Sequence, residues 1–123
     1  MADGIKTEVT INELALQNKL EALIKDESVM TEVHEKFAET IFPYVPYDTG
    51  RLSEQDVRVD ATGVTYYAPY AAKNYYGDDI NHKKEKHPLA TSHWDEVAMQ
   101  TKKEEFAKEV EDILKRKAKE LNG

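Results

Sequence analysis

Cysteine is absent from all 123 residues. Its absence excludes disulfides, thiolate nucleophiles and cysteine-ligated zinc, and it suits a chain made in a reducing compartment. Positive charge is in deficit: 17 Lys and Arg face 24 Asp and Glu, a formal net charge of −7. Such a chain lacks the basic stripe with which a general DNA or RNA binder neutralises phosphates. Long apolar runs are missing too. None approaches the ~20 residues that span a bilayer, and the opening MADGIKTEVT has no apolar segment of the kind that directs secretion. The remaining composition suits one folded domain over residues 1–123. Hydrophobic residues make up 40% of the chain, enough for a single modest core, and a third of the chain is charged. A core of this size leaves room for partners to contribute stability. The expectation is a soluble protein that folds in a cytoplasm.

The pattern along the chain predicts an α+β fold: a small antiparallel sheet with an N-terminal helix, or kinked helix pair, and a long C-terminal helix. Ile5, Thr7, Val9 and Ile11 alternate with period two, which reads as a strand or extended arm within residues 1–11. Asn12 is placed to cap the next element. Leu16, Leu20, Leu23 and Ile24 recur at helical spacing, a polar break runs from Lys25 to Ser28, and Val29, Val33, Phe37 and Ile41 resume at four-residue spacing. The helix or pair should end at Phe42, because Pro43 disfavours helix in the residue before it. His34 reads as a half-exposed face residue of this element. Val57 and Val59 then alternate with Arg58 and Asp60, Asp60-Ala61-Thr62-Gly63 supplies turn chemistry, and a strand resumes at Val64. This predicts a β-hairpin.

The strongest signal is C-terminal. Ser92-His93-Trp94-Asp95 has the spacing of a capping box, with Ser92 as N-cap. Asp95 and Glu96 fall in the first turn, and Lys115, Arg116, Lys117 and Lys119 near the end, matching the helix dipole. Phe106, Val110, Ile113, Leu114, Ala118 and Leu121 form an apolar stripe, and Glu104–Lys108, Glu111–Lys115 and Asp112–Arg116 are favourable i,i+4 pairs. The pattern predicts a helix of about eight turns. Its length implies either a projecting tail or a stripe that packs on a neighbouring chain. Trp94 reads as a core anchor.

Asp48-Thr49-Gly50 is the catalytic triplet of pepsin-like and retroviral aspartic proteases, so an enzyme must be considered. Those enzymes hold two such carboxylates close enough to share a proton. Their triplet follows a buried apolar strand and precedes a small residue. Here it follows the proline-punctuated Phe42-Pro43-Tyr44-Val45-Pro46-Tyr47 and precedes Arg51. The motif out of its context predicts a turn instead. Asp48 bonds the backbone two residues on, Gly50 supplies a positive φ, Leu52 points to the core, and Arg51 stays on the surface or clamps a neighbour's carboxylate. A metal site is also weighed. His82, His87 and His93 lie close in sequence with Asp78, Asp79 and Glu85, but their spacing fits no familiar ligand pattern. No catalytic residue, metal or cofactor is expected.

Three stretches in order resemble a known family. Pro46-Tyr47-Asp48-Thr49-Gly50-Arg51-Leu52, after a helix and before a hairpin, resembles the P-x-D-T-G-x-L signature of the minor capsid and tail-completion proteins of tailed bacteriophages. Tyr67-Ala68-Pro69-Tyr70-Ala71, closed by Tyr75-Tyr76-Gly77, is similar to that family's tyrosine–glycine region, and the run from His87 to Asp95 to the approach of its last helix. The resemblance covers roughly residues 30 to 120. It implies a structural virion protein made in the host bacterial cytoplasm and placed at the head–tail neck. There, a homo-oligomeric ring would join head to tail or complete the tail end, touching other neck, portal-side or tail proteins. DNA would pass through the lumen without sequence-specific binding, and no membrane would be involved. The runner-up is an intracellular adaptor or regulatory module that grips a partner through its C-terminal helix.

In the ring reading, the candidate interface is Tyr70, Tyr75 and Tyr76 with His82, Lys83, Lys84 and Lys86. The last four lie in the charged segment 78–88, expected to be a mobile loop. Tyrosine suits interfaces, pairing a large apolar ring with a hydroxyl for the rim.

Overall fold

The alternating N-terminal residues form a strand, β1 (Ile5–Thr7), that buries Ile5 and Thr7 and exposes Lys6. Residues 4–14, 21–46, 56–68, 71–77 and 89–122 are described by this computed structural model. β1 belongs to a three-stranded antiparallel sheet with β2 (Val57–Asp60) and β3 (Gly63–Tyr66), in the order β1-β3-β2. The hairpin turn is set by Asp60, whose carboxylate accepts from the Thr62 N–H at 2.8 Å and the Thr62 hydroxyl at 2.6 Å. These bonds, the hydroxyl's foremost, hold the Asp60 carboxyl below its usual range. Asp60 pairs with Gly63 and Val59 with Val64. Gly63 has φ +152°, and a Cβ there would stand 2.4 Å from the Thr7 carbonyl oxygen. Only glycine lets β1 lie that close to the turn. Val64 and Tyr66 face the core, while Lys6, Thr65 and Arg58 share one row on the other face.

The helical region resolves into a pair. α1 (Glu21–Ile24) stops short, and α2 (Glu27–Ile41) restarts at Asp26, whose carboxylate accepts from the Val29 N–H at 3.1 Å. An N-cap aspartate suits that position because it satisfies an otherwise orphaned N–H. Val29, Val33, Phe37 and Ile41 are buried, as their spacing predicts. At Pro43 the α-helix gives way to a 3-10 turn, Phe42–Tyr44, one that tolerates proline at its start. Asn12, expected as a cap, lies instead inside another 3-10 turn, Ile11–Leu14.

His34 corrects the sequence reading outright. It is 2% exposed. Its Nδ1 donates to the Met30 carbonyl at 2.9 Å, and its Nε2 accepts from the Val9 N–H at 3.1 Å. The four-residue pattern put it off the main stripe of α2, but the segment after β1 runs over that flank and covers it.

A short helix, α3 (Ala71–Tyr76), precedes the long α4 (Trp94–Asn122) of 29 residues. α4 begins one residue past the position that a Ser92 cap implies. His93, at φ +46°, gives its carbonyl to the Val97 N–H at 3.0 Å. α4 runs antiparallel to α2. Tyr44 meets Thr101, Phe37 meets Phe106 with ring centroids 5.5 Å apart, Lys36 meets Glu109 at 3.2 Å, and Glu32 meets Arg116 and Lys117. Phe106, Val110, Ile113 and Leu114 are buried and Ala118 is half-buried. The stripe is thus covered within the chain through Leu114, with Ala118 half-covered, rather than left for a neighbour. The expectation failed because α2 and the 3-10 turn after it run alongside α4, from Tyr44 at Thr101 to Glu32 at Lys117. The architecture is the expected α+β arrangement.

Candidate interface

Tyr75 and Tyr76 are the two expected interface residues among those described. They differ sharply. Tyr75 is buried: its ring packs edge-on against Trp94 at 4.8 Å, and its hydroxyl donates to the Asp95 carboxylate at 2.5 Å. Burial first, and Asp95 second, push its phenol well above the usual tyrosine value. It stays a protonated donor, and it works as a post under the surface. Tyr76 is 62% exposed, yet its ring stands edge-on to Tyr75 at 5.0 Å and to His93 at 5.6 Å. An aromatic held this way offers contact area without having to be ordered on binding.

Trp94, with no solvent exposure, is the hub beneath them. Tyr66 meets it edge-on at 5.2 Å from the sheet, so sheet, α3 and α4 converge on one indole. The His93 N–H donates to the Tyr75 carbonyl at 2.9 Å, and the Thr91 N–H to the Tyr44 carbonyl at 3.0 Å. The residues that flank segment 78–88 are therefore tied down, His93 to Tyr75 of α3 and Thr91 to Tyr44. Asp48, Thr49, Gly50, Arg51, Leu52, Tyr70, His82, Lys83, Lys84 and Lys86 lie outside the described residues.

Two surface features escaped the sequence reading. Tyr67 is 51% exposed, on the outer face of the sheet, with the Arg58 guanidinium 5.9 Å from its ring centroid. Strand alternation from Tyr66 would have placed it there. Leu89, just before the buried Ala90, is 52% exposed; a lone leucine in a polar stretch gives no periodic signal. Along the far flank of α2, Glu32, Glu35, Lys36 and Glu39 face Glu109, Asp112 and Arg116 of α4. Here Arg116 holds the Glu32 carboxyl below its usual range, and Glu109 holds the Lys36 ammonium above its own.

This arrangement is one of contact surfaces. Among the described residues, no cluster of histidines and carboxylates is arranged to hold a metal ion, and no helix is long and apolar enough to cross a membrane. Held aromatics stand over a buried hub on an acidic helical body. A family profile described as minor capsid protein matches residues 5–113. The chain belongs to that family, the structural minor capsid proteins of phage, and is a component of the virion. Comparison with curated proteins and with solved structures gave no match.

Proposed function

We propose that this minor capsid protein is a neck component. Its copies form a ring that joins head to tail or completes the tail end, touching portal-side or tail proteins. The protein acts by forming interfaces and carries no catalytic step. The observation that carries this reading is Tyr76, exposed yet held by Tyr75 and His93 beside the tied-down residues that flank segment 78–88. It is a preformed contact point next to the charged segment expected to reach a neighbour. A net charge of −7 suits a lumen through which DNA slides, since the polyanion is repelled rather than held. The adaptor alternative needs α4 to offer its apolar stripe to a partner. That stripe is covered by α2 through Leu114, which disfavours it.

The test has two parts. Light scattering and negative-stain imaging of the purified protein should show closed rings. Gold-labelled antibody on intact particles should mark the head–tail vertex, and label spread over the shell would refute the neck position.

A further inference from the structure

A pocket of about 210 Å³ opens between the exit from β1 and the first turns of α4. It is smaller than the ~300–1,000 Å³ of a small-molecule site, and it suits a single side chain. Phe37, Phe106 and the half-buried Met99 supply apolar walls. Its charged lining is Glu8, Asp95 and Glu96 against Lys103, three negative groups to one positive. An apolar floor under a net negative rim matches a side chain with an aliphatic stem and a cationic head.

Such side chains stand exposed at the other end of the same helix. Lys115 and Lys119 are one turn apart on the surface of α4. Glu96 and Lys119 are roughly 35 Å apart along the axis at ~1.5 Å per residue, so pocket and tail cannot meet within one chain. Two patches of opposite charge at opposite ends of one helix favour head-to-tail contact between copies, the heterologous kind that closes into a ring when the rotation permits. It also gives an acidic protein an attractive contact with itself where its net charge alone would repel.

We propose that this pocket is the socket for the last turn of α4 of a neighbouring copy. Lys119 lays its stem over Met99 and Phe106 and sets its ammonium among Glu8, Asp95 and Glu96. This rests on the ring reading above and names the surfaces that would build the ring.

Because the chain has no cysteine, a disulfide can report the contact without background. The double variant Glu96→Cys/Lys119→Cys is carried into phage particles and run on a non-reducing gel. The expected result is a ladder of linked copies, absent for either single variant; a lone monomer band from particles that contain the double variant overturns the socket. A charge exchange gives the second reading. Glu96→Lys should lower incorporation into particles about tenfold, as like charges at an interface do, and adding Lys119→Glu should restore it. Both residues are exposed, so neither change should unfold the chain. Equal incorporation of all variants would also overturn the socket. Monomer bands with gold label at the vertex would sink the socket and leave the neck position standing. A ladder with label spread over the shell would do the reverse.

Discussion

The two ends of α4 are held in opposite ways. At its start, Trp94 is enclosed by Tyr66 and Tyr75, and Asp95 accepts from the part-buried Tyr75 hydroxyl. At its finish, Arg116 and Lys117 both reach Glu32 across the surface, above the smaller Ile113 and Leu114. The first end is fixed by shape and desolvation, the second by screened charge over aliphatic packing. The difference locates rigidity: the start of α4 is the platform on which the exposed Tyr76 is mounted, and the finish is adjustable.

The sharpest way to break this comparison is to remove the hub. Trp94→Ala should cost about 3–5 kcal/mol of stability, the range for deleting a large buried aromatic, as measured by chemical denaturation. A loss under ~1 kcal/mol would mean that the start of α4 is no better anchored than its end. Next in size, Tyr75→Phe keeps the ring and deletes only the donor to Asp95. Hydrogen bonds to charged groups contribute ~1.5–3 kcal/mol, so unfolding should show a loss near the lower bound, since the site is only partly buried.

A third test uses a buried polar contact away from α4. Desolvation lowers the pKa of His34 from its ordinary 6.5. The unfolded chain therefore takes up a proton before the folded one. Stability should be full above pH ~6.5 and fall as the pH drops from there toward the lowered folded value. Glu8 and Asp60 oppose this lowering and Lys6 reinforces it. His34→Gln should flatten that acid limb of a stability-versus-pH curve, and an unchanged limb would clear His34 of the effect. The smallest effect belongs to the far end of α4. Arg116→Ala should cost no more than ~1 kcal/mol, and high salt should erase the difference from the unaltered protein. A salt-insensitive loss of several kcal/mol would erase the contrast between the two ends.

Much of the fold was legible in the residues. Val29, Val33, Phe37 and Ile41, and Phe106, Val110, Ile113 and Leu114, are stripes whose period dictates helix, and they are buried as read. The hairpin was written in Asp60 and Gly63, which bond and bend locally. The candidate surface was less legible. Tyr75 and Tyr76 are adjacent and chemically identical, yet one is a post and the other a contact point. Which is which depends on where Trp94 lies, some twenty residues further along. His34 was misread for the same reason, because its cover comes from Val9, far away in sequence.

The sequence alone determined the α+β class, the helical stripes, the turn chemistry, the acidic balance and the motif order that resembles the minor capsid family. These depend on neighbours within a turn or two, or on composition. Only the tertiary structure decided that α4 lies along α2 instead of projecting, that His34 is sealed, and that Glu8 comes to line one pocket with Asp95 and Glu96. Those facts depend on which distant segments come together, and a local pattern of residues does not record its partners.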